Sequence, residues 1–110
     1  MSDNEEWCQF YARDGSPMTV DEWHARWTEE QKRVALTHVG EAEISTVWLG
    51  MNHNFCAGPP LIFETMIFGG ADDEFQCRYS TEEAAREGHA LVVKMVEARR
   101  ALDSFLGYES

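Results

Sequence analysis

Between Ile44 and Ala71, a chain whose formal net charge is -11 carries only one of its Asp, Glu, Lys or Arg residues, Glu64. Glu64 sits inside the run Leu-Ile-Phe-Glu-Thr-Met-Ile-Phe from Leu61 to Phe68. A segment so depleted of charge in so acidic a chain has to supply the core, and this block therefore fixes where the core of the domain lies. The carboxylate inside it must be hydrogen-bonded, paired, protonated or turned to solvent, because an unpaired buried charge is too costly to keep.

With 110 residues there is room for one core and one domain. A hydrophobic content of 44% with 12% aromatics is that of a folded chain despite the charge. The start, Met-Ser-Asp-Asn-Glu-Glu, is acidic where a signal peptide would be basic and then apolar, and no apolar run approaches the roughly 18 residues of a membrane span. The expectation is a soluble cytoplasmic protein, with residues 1–6 a disordered acidic tail and residues 7–110 the domain. Cys8, Cys56 and Cys77 are widely spaced and form no Cys-x-x-Cys pair, which favours reduced thiols over a disulfide scaffold. Acidity argues against direct contact with nucleic acid, whose phosphates need a basic patch, and leaves basic partners open.

Trp7 to Arg13 reads as a short strand ended by the turn Asp14-Gly15-Ser16-Pro17. Thr19 and Glu22 make a capping box that opens a helix from Val20 to about Glu30, with Val20, Trp23 and Trp27 on one stripe facing the core. Arg33 to Val39 and Glu43 to Leu49 form a hairpin about Gly40-Glu41-Ala42, with Ile44, Thr46 and Trp48 sharing a face of the second strand. A long loop, Gly50 to Pro60, leads into Leu61 to Phe68, a strand apolar enough to be central and covered on both sides. Glu74 to Tyr79 returns with Phe75, Cys77 and Tyr79 on one face.

A second capping pattern, Ser80-Thr81-Glu82-Glu83, starts a helix from Thr81 to about Leu106. Ala84, Gly88, Leu91, Met95, Ala98, Leu102 and Phe105 alternate steps of four and three, and this stripe is expected to pack on the sheet. Gly88 on it suggests close approach of a strand or of a ring such as Trp48. The fold class that follows is α+β, a single two-layer domain with an antiparallel sheet of about five strands in the order β-α-β-β-β-β-α and the long C-terminal helix on one face.

Four groups in the central block compete for chemistry: Asn52, His53, Cys56 and Glu64. His53-x-x-Cys56 supplies one pair of metal-type ligands, but structural zinc sites need a second pair, so neither metal nor cofactor is assigned. A Cys56 nucleophile beside a His53 base is weakened by acidic surroundings, which raise a thiol pKa. Glu64 with His53 or His89 is the most coherent acid/base pair, since a desolvated carboxyl and an imidazole both titrate toward neutrality. The plainer alternative is that Glu64 accepts hydrogen bonds from a turn or from Arg78 across the hairpin. His89, beside Ala85, Val92 and Val96 on the border of the stripe, reads as a hydrogen-bonded boundary histidine.

The runs Ile-Ser-Thr-Val-Trp-Leu-Gly-Met-Asn-His-Asn-Phe (44 to 55), Gly-Pro-Pro-Leu-Ile-Phe-Glu-Thr-Met-Ile-Phe-Gly-Gly (58 to 70) and Arg-Tyr-Ser-Thr-Glu-Glu-Ala-Ala-Arg-Glu-Gly-His (78 to 89) carry a resemblance. The chain resembles, from about Tyr11 to Val96, a group of small proteins encoded by actinobacteria and by the bacteriophages that infect them. That resemblance implies no particular reaction. The group commonly has an acidic residue where this chain has Asn52 and glycines near Cys56-Ala57, whereas His53, Glu64 and Gly88-His89 match it.

The leading expectation is a small acidic accessory protein of phage type that binds a host protein or a small signalling molecule through the block around His53 and Glu64. Trp48, Asn52 and Tyr79 complete the expected contact set. The alternative is a compact enzyme using Glu64 with His53 or His89 on a small polar substrate. A homodimer joined through strands is a third reading.

Overall fold

The computed structural model describes residues 9–54 and 58–107. The expectations for residues 1–6, Trp7, Cys8 and Cys56 lie outside those described residues. Its elements are β1 (Phe10–Tyr11), β2 (Pro17–Met18), α1 (Val20–Arg26), α2 (Glu29–Lys32), β3 (Arg33–Val39), β4 (Ala42–Trp48), β5 (Phe63–Phe68), β6 (Gln76–Tyr79) and α3 (Glu82–Leu106). β3 to β6 form an antiparallel meander in sequence order, and α3 lies across it, touching all four strands. The α+β class read from the sequence is the class observed.

The sheet is built by alternation. Ile44, Thr46 and Trp48 of β4 stand directly opposite Ile67, Thr65 and Phe63 of β5, and all six are 2 % exposed or less. These side chains face α3. The intervening residues Glu43, Ser45 and Val47 oppose Phe68, Met66 and Glu64 on the other side of the sheet. Because side chains alternate with a period of two, one register determines both faces. The β3–β4 turn is tight, with Val39 paired to Ala42 and Gly40 at φ 58°, a conformation that favours glycine.

Four expectations are corrected. The main sheet has four strands rather than about five, because the first strand is two residues long and folds back on β2 at the Asp14-Gly15-Ser16-Pro17 turn. Leu61 to Phe68 supplies an interior strand, but α3 covers only one of its faces. The first helix stops at Arg26, short of Glu30: the Trp27 indole N–H donates to the Trp48 carbonyl at 3.0 Å, and Thr28 starts α2 by accepting from the Gln31 amide. The fourth correction is the setting of α3. Ala85, His89, Val92 and Val96 are buried on the sheet, whereas Leu91 is 66 % exposed, Leu102 52 % and Phe105 85 %. Both stripes have the same four-three spacing, so periodicity cannot choose between them. The sheet chooses, because Thr37 and Thr46 offer hydrogen-bond partners that only His89 can use.

The core is consequently in two parts. Met18, Val34, Trp48, Ile62, Phe63 and Ala85 pack at one end, and Ala42, Ile44, Ile67, Val92 and Val96 at the other. Three indole N–H groups tie the N-terminal elements to the first part: Trp23 donates to the Leu49 carbonyl, Trp27 to that of Trp48, and Trp48 to that of Tyr11. Arg13 adds a two-pronged ion pair with Glu82 at the first turn of α3, 2.7 and 2.9 Å.

The ring that requires Gly88 is Tyr79 rather than Trp48, since a Cβ at Gly88 would overlap the Tyr79 ring. Gly88→Ala should therefore destabilise the fold by about 1–3 kcal/mol through overpacking, against the roughly 1 kcal/mol that alanine normally gains inside a helix. The urea midpoint measures it. A midpoint unchanged or raised would contradict the close packing of this ring.

Candidate functional site

Between the two apolar clusters runs a chain of polar side chains. The Tyr79 hydroxyl donates to Thr65 Oγ1 at 3.1 Å, and Thr65 Oγ1 is hydrogen-bonded to Thr46 Oγ1. Thr46 Oγ1 lies 2.7 Å from His89 Nδ1, and His89 Nε2 lies 2.9 Å from Thr37 Oγ1. Thr46 and Thr65 are fully buried and His89 is 7 % exposed. Among the described residues no buried side-chain nitrogen or oxygen lacks a partner, as the one to three kcal/mol penalty on each such orphan demands.

One donor order passes a proton along every link in the same direction: Tyr79 gives to Thr65, Thr65 to Thr46 and Thr46 to His89 Nδ1. In that order Nδ1 is the bare nitrogen and Nε2–H donates to Thr37. A protonated ring would present a second donor to Thr46 and reverse that link. Burial acts in the same direction, holding the His89 pKa below its ordinary 6.5 and the Tyr79 pKa above its ordinary 10.0. The chain is thus a neutral hydrogen-bond relay locked beneath α3.

Glu64 is on the opposite face. It stands between Val47 of β4 and Arg78 of β6, and Arg78 Nε donates to Glu64 Oε2 at 3.1 Å. Its partner Arg78 has a side chain 34 % exposed, so the pair contributes about 1 kcal/mol or less after solvent screening. Glu64 itself is 8 % exposed. On the same face Val47 stands opposite it and Met66 two residues along β5, both half-buried, while Phe68, 47 % exposed, lies four residues along, opposite Glu43. Farther out on the same face, His38 and Glu43 approach to 3.4 Å.

The structure divides the residues singled out in the sequence. Trp48 and Tyr79 point toward α3, and Trp48, 2 % exposed, has no surface to offer a partner. The Asn52 side chain serves its own loop, accepting from the amides of Asn54 and Leu61. His53 is half-buried and is tied through its backbone amide to the Leu61 carbonyl. Glu64 and His89 are separated by the thickness of the sheet, which denies them a shared substrate. Among the described residues no hydrogen bond or ion pair joins Glu64 to His53. No three His, Cys, Asp or Glu side chains among them cluster as metal ligands. A cleft of about 570 Å³ between the strand turns and the end of α3, bordered by Glu41, Asp72, Arg99 and Arg100, contains none of the candidates.

Thr37, Thr46 and Thr65 are the participants that the sequence reading missed. Their signal was positional: each is a threonine on the inward face of a strand, where apolar alternation calls for a hydrophobe.

In the unfolded chain His89 titrates at its ordinary value, 6.5, and in the fold below it. Above 6.5 both states are neutral and the ring adds no pH dependence. As pH falls through 6.5 the unfolded chain takes up a proton that the fold refuses, so stability should fall by up to about 1.4 kcal/mol per pH unit until the folded pKa is reached. Glu82, held low first by the hydrogen bond from Arg13, adds acid sensitivity only below its ordinary 4.5. Urea midpoints of the parent and of His89→Gln between pH 7.5 and 5.5 separate the two effects, with the slope expected only in the parent. Equal slopes would contradict the neutral relay.

Comparisons with protein-family models, with curated proteins and with solved structures returned no match.

Proposed function

We propose that the protein is a small, non-enzymatic accessory module that binds another protein through the sheet face turned away from α3, around Phe68 and the Glu64–Arg78 pair. One observation carries this reading: the face away from α3 presents Phe68, 47 % exposed, with half-buried Met66 and Val47 along the same strands and the Glu64–Arg78 ion pair seated between them. Apolar surface surrounding a fixed ion pair is how the buried centre of a protein interface is composed, with anchoring aromatics and few free charges. The face is a sheet rather than a cleft, which suits a protein surface better than a small molecule. His53, in the loop that joins β4 to β5, lies beyond one end of the same strands.

The net charge of -11 would steer a basic partner toward the molecule and speed encounter at low salt. The resemblance to proteins of actinobacteria and their phages supports a host protein as that partner, met in the cytoplasm, where the cysteines would stay reduced. Among the described residues no helix is long and apolar enough to cross a membrane.

Phe68→Ser and Glu64→Gln test the face without touching the packing under α3. Capture of protein partners from host lysate by the immobilised parent should weaken about thirtyfold with Phe68→Ser, the effect of losing an anchor worth about 2 kcal/mol. Circular dichroism should be unchanged. Equal capture by parent and variants would exclude this face as the contact.

A further inference from the structure

The stripe of α3 that the sheet does not use is itself ordered. Gly88, Leu91, Met95, Ala98, Leu102 and Phe105 fall at alternating steps of three and four, the spacing that keeps one seam facing a second helix. Along the part of the helix beyond Gly88 this seam has no cover: Leu91 is 66 % exposed, Met95 38 %, Leu102 52 % and Phe105 85 %, with Leu106 beside it at 53 %. We propose that this seam pairs antiparallel with the same seam of a second copy of the chain, making a two-helix homodimer interface.

The order of side-chain sizes selects that occupant. About a two-fold axis between Met95 and Ala98, Met95 meets Ala98 of the second copy, Leu91 meets its Leu102, and Phe105 meets the turn of its Gly88. Each layer joins a large side chain to a small one or two of equal size, which is how facing helices fill their interface. Phe105 thereby reaches the Tyr79 ring that covers Gly88 in the other copy. A seam complementary to its own reversed sequence fits an isologous dimer.

Flanking charge sets the direction. In a parallel pair Lys94 would face Arg99 of the second copy on both sides of the seam, two like-charge contacts. Reversal places Lys94 opposite Ala101. Arg99 is meanwhile engaged within its own chain by Asp72 at 3.2 Å and Asp103 at 3.9 Å. The exposed apolar side chains of two copies amount to roughly 1,000 Å², the lower bound for a specific interface, which suits a reversible, concentration-dependent dimer rather than an obligate one. This seam is separate from the sheet face of the proposed function, and either can fail without the other.

Sedimentation velocity of the full chain across the micromolar range tests it. A concentration-dependent monomer–dimer equilibrium is expected, weakened at least tenfold by Leu102→Glu and by Phe105→Glu, both at positions exposed in the single chain. A chain that is monomeric throughout, or a dimer indifferent to both substitutions, would overturn the proposal. Orientation is read by oxidative cross-linking in a Cys8→Ser, Cys56→Ser background. Leu91→Cys mixed with Leu102→Cys should give the mixed disulfide dimer in excess, and each variant alone should give little. Efficient cross-linking of each variant to itself would show a parallel pair and overturn the antiparallel seam.

Discussion

His89 holds the fold in its particular arrangement. Its imidazole lies between the two apolar clusters and is hydrogen-bonded through Nδ1 to Thr46 and through Nε2 to Thr37, on adjacent strands. Apolar packing alone would tolerate sliding or rotation of α3, because the hydrophobic effect has no direction. Hydrogen bonds with two fixed acceptor and donor positions do not. A buried polar chain that is fully satisfied specifies a unique packing, whereas one left partly unsatisfied costs more than an apolar core. Gly88 belongs to the same device, since its missing side chain lets Tyr79 reach Thr65 at the end of the chain.

The rotation imposed by His89 distributes the rest of the surface. With Ala85, Val92 and Val96 turned down, the Leu91 to Phe105 row turns out. With Thr46 and Thr65 turned toward the helix, strand alternation turns Glu64 away from it. The two faces on which binding is proposed thus follow from one choice of helix setting and one sheet register. They explain how a chain of this length carries both a well-packed core and apolar residues such as Phe68 and Phe105 in the open.

Much of this was legible in the residues. The capping box at Thr19, the Gly40 turn, the alternation through Ile44, Thr46 and Trp48 and the pairing of Glu64 with Arg78 across the hairpin all rest on local rules of spacing and chemistry. The setting of α3 was not legible, because two apolar stripes share one spacing and the deciding contacts come from Thr37 and Thr46, more than forty residues away in sequence. The separation of Glu64 from His89 was hidden for the same reason. Each looks like half of an acid/base pair until the register assigns them to opposite faces.

The state of the His89 ring tests this account most directly. Long-range ¹⁵N–¹H correlation spectra of the imidazole distinguish the two neutral tautomers and the imidazolium. A neutral ring protonated on Nε2 is expected, persisting at pH values below the ordinary 6.5 of a histidine. A ring protonated on Nδ1, or one that takes up its second proton at the ordinary 6.5, would contradict the relay and the setting of α3 that depends on it.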